Sequence, residues 1–333
     1  MPETPMDLPS LTSLPIARYR FTAVVQQPLA LPDYAGSLLR GQFGAALRQV
    51  ACMTRQPTCT GCPLLQTCPY TRIFEAPPPE KGRHALQDFS QIPNPYVMEP
   101  PPHGARLLAE GDELVFHLVL VGHAIDQLAL IIFALQRALA QGLTRQRVPA
   151  ELVRIDCMTA DNPPQSGGPV WLQEHPLLAE HATTQYVPPA PASMKHLALH
   201  IHTPLRLQQQ GRPLGVGQLT PRALVAAVAR RTALLLEFHA GHSGWGEAAR
   251  DVTRQAESLT DQRDLHWHDW TRYSSRQRQE MTLGGVIGTW TLHGNADTLA
   301  SIWSWLWLGQ WLHVGKNATM GMGSYMLEPV IGS

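Results

Sequence analysis

Lysine is nearly missing from this chain of 333 residues: Lys81, Lys195 and Lys316 are the only ones among 26 basic positions. Excess charge of either sign is also missing, since 26 acidic residues balance those 26. That balance excludes a chain-wide magnet for polyanions but leaves room for a local basic groove. Charged residues amount to only 16%, yet with 44% hydrophobic residues the chain can still bury a core. Long apolar runs are absent. Leu114–Val121 reads as a strand and Leu128–Leu135 as part of a helix, both far short of the roughly 18–20 residues that span a bilayer. Met1–Ile16 is Pro-rich and has no basic stretch followed by an apolar one, so no signal peptide is expected and the cytoplasm is the expected compartment. The spacing of a nucleotide P-loop does not occur. None of the 15 histidines precedes His84.

The length suits two domains of roughly 150 residues each. Ala17–Gln26 is rich in aromatic and β-branched residues and predicts a strand. Ser37–Val50 places Leu38, Leu39, Phe43, Ala46 and Leu47 at helical spacing. Pro77–Pro102 is broken by prolines and reads as a long loop. Strands are expected at Glu113–Leu120 and Glu151–Cys157, with a helix over Ala124–Gln141 that Gly142 would cap. Asp161–Ala192 is polar and rich in Pro and Gly, the natural boundary. The second half starts again with a strand at His196–Leu207, then a helix at Arg222–His239. Strands at Leu265–Tyr273 and Gly285–Leu292, a Trp-rich helix at Asp297–Leu312 and a strand at Ser324–Glu328 follow. Each half therefore reads as β-α-β-β-α-β, an α+β order that predicts two tandem ferredoxin-like (RRM-like) domains. The expected limits are a leader to residue 15, a first domain over 16–160 and a linker over 161–194. The second domain would cover 195–333.

Four of the five cysteines lie within seventeen residues, at Cys52, Cys59, Cys62 and Cys68. Clustered cysteines in a cytosolic chain read as metal-binding before disulfide-bonded. Cys59-Thr-Gly-Cys62 is a tight knuckle, and two flanking thiolates could complete a tetrahedron around a structural Zn(II). An iron–sulfur cluster takes the same donors, and reduced thiols without metal are the plain alternative. Three further stretches invite contact with a polyanion. Gly315–Gly323 carries three glycines and Lys316, so its amides could cradle phosphates; by itself it is more often just a turn. Trp267–Arg278 interleaves aromatics with arginines, which suits stacking on bases and gripping phosphates, and equally suits an edge strand with solvated charges. Leu39–Gly44 carries Arg40 with two glycines near a helix start, which permit close approach of another backbone or simply serve helix packing.

These stretches together resemble the CRISPR-associated RAMP superfamily, specifically the endoribonucleases that process CRISPR precursor RNA. The resemblance rests on LRGQFGAALR (39–48), CPYTRIFEAPPP (68–79), IPNPYVMEPP (92–101), RYSSRQRQEMTLGGVIG (272–288) and LHVGKNATMGMGSY (312–325). The last looks like the family's Gly-rich loop. It implies two ferredoxin-like domains, a four-cysteine insertion (52–102) in the first, and RNA held on their joint surface. It also implies cleavage without metal: the 2′-hydroxyl of the RNA attacks the adjacent phosphate, a side chain of near-neutral pKa takes the proton, and cations stabilise the phosphorane. Repeat RNA would be the partner, with subunits of a CRISPR effector complex as further ones, and no membrane. Arg40, Arg272, Arg276, Gly315, Lys316, Gly321 and Gly323 are the expected RNA contacts.

The chain departs from the family where many members place a catalytic histidine, near the first helix: Arg40 and Gln42 stand there instead. The base would have to come from elsewhere, with His313, His268 and His266 the expected candidates and His239 and His242 at the end of the second-half helix also available, or the protein would bind RNA without cutting it, as a non-catalytic subunit does. A zinc-dependent DNA-binding regulator fits the cysteines but leaves the Gly-rich loop without a purpose.

Overall fold

The computed structural model describes residues 13–79, 92–102, 104–161, 163–274 and 279–331. The first domain runs β1 (Ile16–Val25), α1 (Gly36–Ala51), α2 (Pro69–Phe74), β2 (Tyr96–Glu99), β3 (Glu113–Val121), α3 (Leu128–Gln141), β4 (Ala150–Met158) and β5 (Ser166–Leu172). Its sheet has the order β2-β3-β1-β4-β5, with every neighbouring pair antiparallel. Alternation along β1 sends Ala17, Tyr19, Phe21, Ala23 and Val25 into one core, under α1 and α3. The segment Gly122–Gln141 is long and apolar enough to cross a membrane by length and composition. Its residues Leu128, Ile131, Ile132, Leu135 and Leu139 are instead buried in this core.

The second domain runs β6 (Met194–Leu205), α4 (Pro221–His239), α5 (Trp245–Gln255), β7 (Thr260–Ser274), β8 (Gln279–His293), α6 (Ala296–Leu312) and β9 (Tyr325–Ile331), with sheet order β7-β8-β6-β9. Local chemistry sets the helix starts. The Ala223 amide donates to Thr220 Oγ1 (3.1 Å) ahead of α4, and the Thr298 amide to Asn295 Oδ1 (2.8 Å) ahead of α6. Within each half, the strands of a β-α-β-β-α-β unit lie in the order second, third, first, fourth. That is the ferredoxin-like arrangement, so the fold is α+β with two such domains in tandem.

Three elements depart from expectation. β2 lies inside the Pro-rich stretch, and β5 inside the expected linker. Both are edge strands, where Pro169 and the flanking Pro95 and Pro100 cost no ladder hydrogen bond. α5 follows a Gly-rich turn that hid its start. The end of the leader also pairs: Ser13–Leu14 bridges to Gln185–Tyr186.

The domains share apolar surface. Ile16, Val97, Val119 and Val121, from one end of the outer face of the first sheet, belong to the same buried cluster as Trp311 and Val314 of the second domain. A smaller cluster joins Tyr34 to Trp270, Leu283, Met320 and Met322. The first sheet therefore keeps only part of its outer face open.

Candidate functional site

The Gly-rich loop lies at the junction of the two domains. It leaves α6 through His313 (φ +55), makes a helical turn at Ala318–Met320 and enters β9. Tyr34 donates from its hydroxyl to Met320 O (2.8 Å), and the Trp270 ring lies 4.3 Å from that of Tyr34. Gly321 has φ +88, and a Cβ there would stand 2.6 Å from Pro100 Cδ and 2.8 Å from Met98 O. Only glycine lets the loop close on β2. The amides of Lys316, Met320, Gly321 and Gly323 donate within the second domain, to the carbonyls of Arg206, Asn317, Ala318 and Pro204. These four are therefore not presented as a phosphate cradle, and Gly321 and Gly323 are buried. Of the expected loop contacts, Gly315 is half-buried and Lys316 is exposed.

His313 serves the junction itself. Its Nε2 lies 3.0 Å from Glu99 Oε1 and its Nδ1 3.2 Å from Met322 O, so both ring nitrogens are turned to protein oxygens rather than to a substrate. Only 1% of the side chain is exposed. The other oxygen of Glu99 accepts from Arg18 Nε at 2.7 Å. Burial alone would raise the Glu99 carboxyl, but Arg18 and His313 outweigh it and hold the group far below the usual carboxylate range. The expected base is thus an inter-domain strut.

Glu99 begins a polar row that sequence reasoning missed. Register places Glu99, His117, Arg20 and Asp156 side by side across β2, β3, β1 and β4. His117 is pushed down to about 4, by burial first and by Arg18 second, with Arg20 adding to them and Glu99 opposing. At neutral pH its imidazole is unprotonated. It borders a surface cavity together with Arg106, Glu113 and Pro100–Pro102. The signal was available: Leu114, Phe116, Leu118 and Leu120 alternate into the core, which leaves His117 on the opposite face.

Arg40 projects from α1 toward the loop. Its Cζ lies 4.4 Å from the centre of the Phe74 ring, and its Nε is buried without a partner. Tyr96 on β2 lies beside it. Burial raises the Tyr96 hydroxyl to about 12, while Arg40 and Thr319 of the loop pull the other way. Neither makes a well-aligned hydrogen bond to that hydroxyl. A cation, a phenol and the Gly-rich loop thus converge where α1, β2 and the second domain meet.

His266 and His268 lie on β7, opposite Ile287 and Gly285 of β8. His266 is exposed and His268 half-buried. Arg272 lies further along the same hairpin, opposite Met281, and Arg276 falls outside the described residues.

The four clustered cysteines border one small cavity between the end of α1 and the start of α2. Thr54 Oγ1 lies 3.6 Å from Cys62 Sγ and 3.9 Å from Cys52 Sγ. The donor chemistry suits Zn(II) or an iron–sulfur cluster. Among the described residues, however, no three Cys, His, Asp or Glu side chains stand grouped to hold an ion. The sulfurs face a common space without forming a closed ligand set.

Residues 14–183 match the family model AF_1859_N, described as an N-terminal domain, and residues 199–325 match that of the CRISPR-associated endoribonuclease Cas6. No curated protein matches the sequence. Among solved structures, a Cas6 (TTHB231) product complex is 17% identical with a TM-score of 0.57, over 94% of this chain and 100% of that one. The Thermus thermophilus Cas6 (TTHB231) is 15% identical with a TM-score of 0.52, over 95% and 99%. A partial Cas6-RT-Cas1–Cas2 complex contains a chain 15% identical with a TM-score of 0.55, of which this protein spans 47%. These likenesses support the fold, and the two family models between them cover both domains and the Gly-rich loop. The second domain thus belongs to the family of the CRISPR-associated endoribonuclease Cas6, and the chain as a whole shares the Cas6 fold.

Proposed function

We propose that the protein binds CRISPR repeat RNA and cuts it by attack of the RNA's own 2′-hydroxyl, without a metal ion, and keeps the guide RNA it makes. The observation that carries this reading is the Gly-rich loop of the matched Cas6 region, packed on α1 so that Arg40 and the loop meet at the domain junction. Arg40 offers charge to the phosphorane, where an oriented cation in a partly dry site stabilises the transition state most. Lys316 and Arg272 would grip the backbone. Of the histidines, His266 is exposed and His117 is neutral and borders a cavity, so these two replace His313 as candidates for the base. Repeat RNA is the partner, with effector subunits as further ones, in the cytoplasm where the precursor is made. We also propose one structural Zn(II) on Cys52, Cys59, Cys62 and Cys68.

Incubation with repeat RNA in chelator tests the reading. Cleavage that leaves a 2′,3′-cyclic phosphate supports it. A second reading, a non-catalytic RNA-binding subunit, is favoured by one observation: both nitrogens of His313 are committed and α1 carries no histidine. Tight binding without cleavage selects that reading, and no binding removes both.

A further inference from the structure

One cavity lies away from Arg40 and the cysteines. It has a volume of about 330 Å³ and opens between α4, the segment after β6 and the first residues of the Gly-rich loop. That size falls within the range of ligand pockets, roughly 300–1,000 Å³. Four cationic residues line it, Arg206, Arg230, Arg231 and Lys316, and among the described residues no carboxylate does. Leu207, Leu214 and Leu234 supply an apolar wall, and Pro93 of the first domain closes one side.

Arg231 is the unusual member. Its Nε donates to Leu312 O (2.8 Å) at the end of α6, while its Nη2 is shut off from solvent without a partner. Burial pulls the guanidinium down to about 10, and among the described residues no acidic group counters that shift. A desolvated cation without a counter-ion is costly, and an anion in the neighbouring space relieves the cost. Arg206 is held beside it: its Nη1 donates to Gly284 O (2.8 Å), and its backbone carbonyl anchors the Lys316 amide at 2.9 Å. The Arg231 and Arg206 guanidiniums are thus fixed by backbone carbonyls of two different elements, α6 and β8.

We propose that this cavity is a phosphate-binding subsite for the RNA strand, with Arg231 at its floor, Arg206 on its wall and Lys316 at its rim. The assignment rests on the RNA-binding reading above and extends it to a position outside the Arg40 region. The apolar wall would receive the sugar or base of the same nucleotide.

The test uses the full-length protein, Arg231→Gln, and Lys316→Gln at the exposed rim. Two probes are applied: inorganic phosphate in thermal denaturation, and a repeat-length RNA in binding measured over a range of KCl. Phosphate should raise the melting temperature of the parent more than KCl of equal ionic strength, and this excess should vanish in Arg231→Gln. RNA affinity should fall about tenfold in that variant. The slope of log affinity against log salt should shrink by about 0.7 in each variant, one single-strand phosphate's share. Equal phosphate effects in parent and Arg231→Gln would reduce the first result to a general salt effect and overturn the subsite. Phosphate protection with unchanged RNA slopes would assign the cavity to free phosphate and overturn the RNA assignment. If Arg231→Gln does not fold, an unchanged slope in Lys316→Gln overturns it. A parent that binds no RNA fails the functional reading, whereas the phosphate arm still reports on the cavity.

Discussion

Glu99→Gln isolates the strut between the domains. The carboxylate accepts from Arg18 at 2.7 Å and from His313 at 3.0 Å, and the three side chains are 13%, 17% and 1% exposed. Glutamine keeps the shape and one acceptor but removes the charge. Arg18 and the His313 ring are then left desolvated without their counter-charge, and breaking such a pair typically costs about 3 kcal/mol or more. Urea denaturation at pH 7 should show that loss. Acid provides the sign. The Glu99 carboxyl is held below its ordinary value, so its contribution is complete above the unfolded value of about 4.3 and disappears as pH falls through the folded one. The gap between parent and variant should therefore narrow as pH falls below about 4.3. The double variant Glu99→Gln with His313→Gln should recover part of the loss, because the orphaned ring is gone. A Glu99→Gln protein within about 0.5 kcal/mol of the parent at pH 7 would refute the reasoning, since desolvation would then have cancelled the attraction.

His239 on α4 donates from Nε2 to Pro93 O at 2.6 Å and faces His123 through Nδ1 at 3.1 Å. Burial pushes it down to about 4. It therefore costs stability to charge, so stability should fall between pH 6.5 and 4, and His239→Gln should flatten that fall, read from melting temperatures at pH 7.5 and 5. His117 shares the window, so a residual slope is expected in that variant. Gly321→Ala should lower stability by about 2 kcal/mol, from positive φ and the clash with Pro100, as read by urea denaturation. Arg40→Ala should slow cleavage about a hundredfold while repeat RNA still binds, as read by single-turnover kinetics. Elemental analysis should find one zinc per chain, and Cys59→Ser with Cys62→Ser should lose it and become protease-sensitive near α2; a metal-free parent would remove the zinc proposal.

Much of the fold was legible because its signals are local. Alternation in Ala17–Gln26 and the helical spacing of Leu39, Phe43 and Leu47 report burial directly. β2 and β5 were hidden because both lie at sheet edges, where proline carries no penalty and the usual strand composition is not required. The site was less legible. The spacing of the Gly-rich loop is compatible with a phosphate cradle, yet Gly321 serves a close approach to Pro100 and Met98, which lie more than 200 positions away in the chain. His313 stands beside that loop in sequence, but its partner Glu99 comes from the other domain, and no local pattern reveals the pairing. His117 could have been found from alternation alone. The cluster of Arg206, Arg231 and Lys316 could not, since only folding brings them to one cavity.

The shared apolar cluster bears on how such a protein is inherited. Val97, Val119 and Val121 leave the first domain to complete the interior of the second. Either half made alone would expose that surface to water and invite aggregation. Splitting the gene between the halves, or swapping one half for that of a distant relative, would require both sides of the seam to change together. Recombination inside the chain is therefore penalised, and the pair travels through evolution as one unit.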